Sequence, residues 1–100
     1  MFGMLVKMRA QSGQRDALAT VLSRSNSDMP GCLSYLVAND TSDADVIWII
    51  ETWTGQASHD ESLNLPSVQA AIAEARPLIA AVESTVIIEP VSTIGRTPNP

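Results

Sequence analysis

The chain has 100 residues, of which 45% are apolar and 17% are charged. A chain of this length buries roughly 60–65% of its unfolded surface on folding, enough for one core, so a second catalytic domain is excluded. The 11 acidic against 6 basic residues leave a net charge of −5 and no Lys/Arg cluster, which argues against a nucleic-acid or anionic-membrane partner. One cysteine and one histidine exclude an internal disulfide and a zinc site of the usual kind.

The apolar stretches are too short for targeting or membrane insertion. Lys7 and Arg9 interrupt the N-terminal run before it reaches the length of a signal-peptide core. The longest uncharged apolar stretches, at about 46–50 and 77–82, fall far below the roughly 20 residues of a membrane span. We therefore expect a cytoplasmic protein without a membrane segment.

The first half of the chain predicts a strand, a helix and a hairpin. Residues 1–9 alternate as a half-buried strand does, and the next segment places Leu18, Val21 and Leu22 on one helical face up to about residue 25. Turn formers fill 25–31, and 32–38 is β-compatible. A polar loop at 39–45 joins it to 46–53, the strongest strand signal, so these two strands should pair as an antiparallel hairpin.

The second half predicts a two-part helix and a last strand. Thr54 can cap a helix that begins near Gln56, and Pro66 suits the first turn of a new helix. After a short turn at 78–81, residues 83–91 form the fourth strand. The sequence thus predicts one domain over 1–91 and a C-terminal tail over 92–100.

The order strand, helix, strand, strand, helix, strand is typical of the α+β ferredoxin-like fold, in which an antiparallel sheet carries both helices on one face. The near-continuous apolar run at 46–50 indicates that this strand is covered on both faces. A second copy of the sheet is the simplest cover, so we expect a face-to-face homodimer.

Three segments together resemble the antibiotic biosynthesis monooxygenase family: Met-Pro-Gly-Cys-Leu-Ser-Tyr at 29–35, Glu-Thr-Trp at 51–53, and a helix that opens with Gln56 and Ala57. The resemblance covers Leu5 to about Val91. It implies a dimeric α/β barrel with a pocket between sheet and helices in each protomer. Members characterised as enzymes oxidise polycyclic aromatics or quinols with molecular oxygen, without flavin or metal, and a subgroup degrades heme.

The chain departs from the family pattern at two places. Heme-degrading members use an Asn on the first strand, and this strand has none, which weakens the heme-degrading interpretation. Trp53 fits the family's Trp, but the common helix histidine falls at Ser62, and this chain has His59 instead.

His59 is the candidate general base, because it is the only side chain whose ordinary pKa lies near neutrality. It shares a helical face with Ser62 and Leu63, so it should point inward or toward the pocket rim. There it could deprotonate a phenol or enol. The structural alternative is a hydrogen bond to the backbone or to Asp60.

Trp53 is the candidate aromatic wall of the pocket, and it shares a strand face with Glu51, although it could equally just fill the core. Trp48 lies on the opposite face and would anchor the dimer. Tyr35 on the neighbouring strand could donate its hydroxyl to a substrate carbonyl or be structural. His59, Trp53 and Tyr35 are thus the predicted catalytic residues, with no metal or cofactor site.

Other polar residues have more ordinary explanations. Arg76 could pair with an anionic substrate, but a surface position is favoured. Asp60 and Glu61 suit a helix opening rather than chemistry, and Cys32 is expected to behave as a small buried apolar residue. The leading hypothesis is a cofactor-independent monooxygenase for a planar aromatic or quinol. The alternatives are a non-catalytic ligand-binding dimeric module and a heme-binding or heme-degrading relative.

Overall fold

A computed structural model describes residues 1–24 and 29–92 of the chain. Four strands alternate with three helices, and a short 3-10 turn at Arg76–Leu78 precedes the last strand. The elements in chain order are β1 (Phe2–Ala10), α1 (Arg15–Arg24), β2 (Cys32–Asn39), β3 (Val46–Trp53), α2 (Gln56–Ser62), α3 (Pro66–Ala75) and β4 (Ile79–Ile88).

The strands form one antiparallel sheet in the order β2-β3-β1-β4. Together with the β-α-β-β-α-β succession, this order confirms the predicted ferredoxin-like α+β fold. The two central strands, β1 and β3, are joined along their full length, from Phe2 opposite Trp53 to Arg9 opposite Val46. The sheet therefore presents a continuous wall to the helices.

Alternation along β3 separates the two faces of that wall. Ile47, Ile49 and Trp53 are buried on the helix side, whereas Trp48 and Ile50 point to the other side and are only partly buried. The helix side packs against α1 and α3, and the core between them includes Leu18 of α1, which has no exposed surface. One face of β3 thus forms the core, and the other is not covered by any element that the structure describes.

The last strand differs from the prediction. It begins at Ile79, four residues before the expected start at 83, and the predicted turn at 78–81 is replaced by the 3-10 turn. Irregular pairing explains the difference, because register shifts after Lys7 and after Arg9 let Ala10 pair with Ile79. Such bulges cannot be read from the alternation of one strand.

The predicted boundary between domain and tail stays a prediction. Residues 93–100 of the tail and residues 25–28 of the predicted turn lie outside the described residues. Within the described residues, no helix has the length and apolar character needed to cross a membrane.

Candidate functional site

A cavity of about 260 Å³ lies between the helix side of the sheet and the helical layer. Its wall is mostly apolar, as is usual for small-molecule sites, and a few polar groups converge on it. The polar residues in the wall are Tyr35, Glu51, His59, Ser62 and Arg76, and the apolar residues include Val6, Met8, Ile49, Trp53, Val68, Ala71, Ile72 and Ile79.

The start of α2 is docked closely onto the sheet, and this docking positions His59. Gly31 has a φ of 84°, and a Cβ added there would lie 2.6 Å from the side chain of Ser58. Only glycine allows both that backbone angle and that approach. The Gly31 carbonyl accepts a hydrogen bond from the Thr54 amide at 2.9 Å, and the Thr54 and Ser58 hydroxyls are 2.9 Å apart.

The imidazole of His59 is held between aromatic rings at one end of the cavity. Its centroid is 5.4 Å from that of Phe2, and 5.6 Å from that of Trp53 in an edge-to-face arrangement. Both separations are within the range of favourable ring contacts. Only 16% of the His59 side chain is exposed, so the ring belongs to the cavity wall, as its helical spacing predicts.

Glu51 is the buried carboxylate of the site, with 11% of its side chain exposed. Its Oε1 accepts a hydrogen bond from Trp53 Nε1 at 2.8 Å, and the same oxygen lies 3.8 Å from His59 Nε2. The second distance is too long for a hydrogen bond, so both groups keep bonding capacity toward the cavity. A buried carboxylate with one oxygen fixed and an imidazole alongside is suited to accept a proton or a hydroxyl hydrogen bond.

A second carboxylate fixes the imidazole from the other side. His59 Nδ1 lies 3.0 Å from Asp60 Oδ1. A carboxylate can only accept a hydrogen bond, so the hydrogen of the neutral imidazole resides on Nδ1. Nε2 therefore carries the lone pair and faces Glu51 and the cavity. The structural alternative for His59, a hydrogen bond to Asp60, is thus present, and it leaves Nε2 free to act as a base.

Tyr35 contributes a hydroxyl that stays protonated. Burial, with smaller contributions from the charges of Glu51 and Cys32, raises the pKa of Tyr35 to about 12. Its register partner on β3 is Glu51, so its side chain lies on the cavity side. Tyr35 can donate a hydrogen bond to a ligand but is a poor base near neutral pH. Burial likewise raises the pKa of the Cys32 thiol, so this thiol keeps its proton near neutral pH.

Two further predicted residues have defined places. Ser62, at the position of the family's usual histidine, is buried and donates its hydroxyl hydrogen to the His59 carbonyl at 2.6 Å. It thus ties the C-terminal turn of α2 to the catalytic candidate. Arg76 is exposed, as expected, but it also borders the cavity, where α3 ends.

The structure brings His59, Trp53 and Tyr35 to one cavity, and it adds two residues that the sequence did not single out. Glu51, which strand alternation puts on the face of Trp53 with no role assigned, lines the cavity, and Phe2 of the first strand contacts the His59 ring. Strand alternation could indicate that Glu51 points inward. Its proximity to His59 depends on how α2 docks, for which the sequence offers only Gly31 as a signal.

Within the described residues, no cluster of three or more His, Cys, Asp and Glu side chains could hold a metal ion. The polar groups of the cavity are a carboxylate, an imidazole, a phenol, a hydroxyl and a guanidinium. This set is suited to binding an organic ligand and to moving protons.

Comparison with known sequences gives one family. The family model described as "Antibiotic biosynthesis monooxygenase" matches residues 1–74. This range contains β1 to β3, α2 and most of α3, and thus nearly every polar residue of the cavity. No curated protein matches the chain significantly.

Solved structures give the same result. A Chloroflexus aurantiacus protein ascribed to this family is 54% identical to the chain, with a TM-score of 0.92 over 94% of this chain and 96% of the other. A Deinococcus radiodurans protein with the same ascription is 24% identical, with a TM-score of 0.77 over 97% and 99% of the two chains. A Pseudomonas aeruginosa protein is 19% identical, with a TM-score of 0.79 over 91% and 94%. The last two similarities concern the fold alone.

Proposed function

Because the chain belongs to the antibiotic biosynthesis monooxygenase family, we propose that its cavity binds a planar hydroxyaromatic compound, such as a quinol or naphthol, and that the protein promotes its oxidation by molecular oxygen. The observation that carries the proposal is the pairing of His59 and Glu51 in an apolar cavity. An apolar wall accepts the rings, and the pair offers an acceptor for the hydroxyl proton.

The first step is deprotonation of the substrate. The substrate O–H bond breaks and an N–H bond forms at His59 Nε2, which is the free nitrogen because Nδ1 donates to Asp60. The imidazolium then lies between the carboxylates of Glu51 and Asp60, which stabilise its charge. The substrate becomes an electron-rich aryloxide, the form that molecular oxygen oxidises.

The second step joins oxygen to the ring. The aryloxide transfers electrons to molecular oxygen and a C–O bond forms at a ring carbon ortho or para to the hydroxyl that carries a hydrogen, giving a peroxide that takes the proton from His59. Loss of the hydrogen on that carbon as a proton, with cleavage of the O–O bond, leaves a quinone and a hydroxide. The released proton converts the hydroxide to water, so one phenol and one oxygen molecule give one quinone and one water.

The remaining residues of the site position the substrate. Trp53, whose ring is nearly perpendicular to that of His59, lines the same end of the cavity and holds Glu51 through its indole N–H. Tyr35 keeps its proton and donates a hydrogen bond to the substrate oxygen as it becomes a carbonyl. The protein thus supplies orientation, a base and a largely dry environment, while the substrate itself is the reductant.

The test is oxygen consumption by the purified protein with a chelator and without added flavin, over a panel of hydroquinones, naphthols and anthrones. His59→Ala should lower the rate by at least about tenfold, because general-base catalysis contributes roughly 10²- to 10⁴-fold. Ser67→Ala, an exposed change on α3 that does not border the cavity, is the control and should leave the rate unchanged. An equal rate in the wild type and His59→Ala would remove His59 from the mechanism.

Ligand binding without any oxygen uptake would favour a binding module, and a Soret shift on adding heme would favour the heme-binding alternative.

We also propose that the protein works as a homodimer built through the sheet face opposite the cavity. This face exposes apolar side chains: Leu36 by 53%, Val86 by 47% and Ile88 by 38%. Partly buried Trp48 lies among them and donates its indole N–H to Asp40 at 2.9 Å.

Charged pairs run across the same face beside the apolar side chains. Glu83 binds Arg9 at 2.7 Å and lies 3.7 Å from Lys7. A face that is apolar with its charges already paired can be buried against a copy of itself at little electrostatic cost.

Light scattering on a sizing column tests the dimer. Leu36→Asp places a charge on the proposed interface and should shift the protein to a monomer. Leu63→Asp, a similarly exposed leucine in the helical layer, should leave the dimer intact. A monomeric wild-type protein would contradict the proposal.

A further inference from the structure

Among the lysines and arginines that the structure describes, Arg76 differs from the others in having no side-chain partner. Lys7, Arg9 and Arg24 each form an ion pair with a carboxylate. Arg15 donates through Nη1 to the carbonyls of the β2–β3 loop. Within residues 1–24 and 29–92, Arg76 alone among the Lys and Arg side chains has neither an ion pair nor a side-chain hydrogen bond. With no partner among the described residues, its guanidinium can receive an external anion.

The position of Arg76 relates that free charge to the cavity. It ends α3, and Pro77 directly follows it in the 3-10 turn, so the backbone at this point is fixed. The turn leads into Ile79, which pairs with Ala10 at the far end of β1 and also lines the cavity. Arg76 thus stands at the cavity border near the end of β1, whereas His59 contacts Phe2 at its beginning.

Strand register gives the length of the cavity wall along the sheet. Glu51 is opposite Met4, and Ile47 is opposite Met8, the last residue of β1 in the cavity wall. These two levels are four residues apart, which corresponds to about 13 Å along a strand. The wall between them consists of apolar side chains such as Val6 and Ile49.

We propose that Arg76 anchors an anionic group of the ligand, so that the cavity selects hydroxyaromatic compounds carrying a carboxylate at the end remote from the hydroxyl. The hydroxyl lies at Glu51 and His59, the rings lie along the apolar wall, and the carboxylate receives paired N–H bonds from the guanidinium. Without Arg76, a net charge of −5 and the Glu51 carboxylate would disfavour an anionic ligand. This inference rests on the proposed function in that both use the same cavity.

The experiment measures dissociation constants for two probes by calorimetry: 6-hydroxy-2-naphthoate and its methyl ester, which has the same rings and hydroxyl without the charge. Each is titrated into the wild type, Arg76→Gln and Arg24→Gln. Arg24→Gln is the matched control, because Arg24 is an exposed arginine outside the cavity wall that is paired with Glu74 at 2.6 Å.

The wild type should bind the naphthoate about 5- to 20-fold more tightly than the ester, the range expected for a partly exposed charged hydrogen bond. In Arg76→Gln this preference should disappear or reverse, while the ester binds as before, and Arg24→Gln should behave as the wild type. A preference that persists in Arg76→Gln, or equal binding of both probes by the wild type, would overturn the inference. Binding of neither probe would overturn it as well.

Because the readout is binding, it separates this inference from the oxygenase proposal. A preference that depends on Arg76 in a protein that consumes no oxygen would support the anchor and refute the oxidation. Oxygen uptake with equal rates for both probes in the wild type and in Arg76→Gln would support the oxidation and refute the anchor.

Discussion

The hydrogen bond from Trp53 to Glu51 should be among the strongest single polar contributions to folding, because both partners are buried. The 2.8 Å bond joins an indole N–H to a carboxylate, and Trp53 is only 1% exposed. Buried bonds to charged groups contribute about 1.5–3 kcal/mol. Trp53→Phe also leaves a small cavity, which adds about 1 kcal/mol. We therefore expect Trp53→Phe to lower the free energy of unfolding by about 3 kcal/mol.

Trp48→Phe is the matched control, since it removes the same N–H from the opposite face of the same strand. Trp48 donates to Asp40 at 2.9 Å, but both groups are partly exposed, so about 1 kcal/mol or less should be lost. Urea unfolding followed by far-UV circular dichroism measures both variants. The protein concentration is kept fixed, because the proposed dimer would make the measured stability depend on concentration.

A double-mutant cycle with Glu51→Leu isolates the bond itself. In the Glu51→Leu background the carboxylate is gone, so Trp53→Phe should cost only the cavity and the two changes should couple by about 2 kcal/mol. A coupling below about 0.5 kcal/mol would refute the reasoning, because the indole would then not hold the carboxylate.

Three further predictions concern the surroundings of the site. Tyr35, the only tyrosine, should ionise at about pH 12 in absorbance titrations, chiefly because it is buried, and Glu51→Gln should lower that pKa. Because the tyrosine of the unfolded chain ionises near pH 10, the free energy of unfolding should fall as the pH rises from about 10 to 12. A tyrosine with an unshifted pKa would contradict this prediction. Because the chain has one histidine, nitrogen NMR at alkaline pH should show a single imidazole with its hydrogen on Nδ1; Asp60→Asn should shift that preference and the adjacent Glu61→Gln should not. Gly31→Ala should lower the free energy of unfolding by about 3 kcal/mol, because the φ of Gly31 is 84° and the added Cβ would clash with Ser58. Gly13→Ala is the control and should cost only about 1 kcal/mol, because Gly13 has a φ of 75° but open space around it. Equal losses would show that α2 does not contact Gly31 closely.

The sequence predicts much of the fold because its strongest signals are local. A run of β-branched and aromatic residues marks β3 at Val46–Trp53. Helical spacing marks the start of α2 at Gln56, and the preference of proline for a first helical turn marks the start of α3 at Pro66. The start of β4 could not be predicted in this way. It depends on bulges in the pairing with β1, and the backbone partner decides these rather than the side chains of β4 itself.

The candidate site is predicted less completely, because it consists of contacts between distant elements. Helical spacing indicates that His59 faces inward, and strand alternation indicates that Glu51 and Trp53 share a face. Neither pattern contains the 3.8 Å approach of Glu51 to His59, which arises where α2 docks on the sheet. The lack of a partner for Arg76 within residues 1–24 and 29–92 is also a property of the folded chain, since it depends on where the described carboxylates lie.

The absorbance of bound 6-hydroxy-2-naphthoate tests most directly whether His59 accepts a proton from a bound hydroxyl. The spectrum is recorded with oxygen excluded, at a pH where the hydroxyl of the free probe is un-ionised. The aryloxide form absorbs at longer wavelength than the phenol, so the spectrum reports where the proton resides. We predict the aryloxide spectrum with the wild-type protein and with Tyr35→Phe, and the phenol spectrum with His59→Gln at saturating probe. A phenol spectrum in the wild type, or an aryloxide spectrum that survives His59→Gln, would contradict the account.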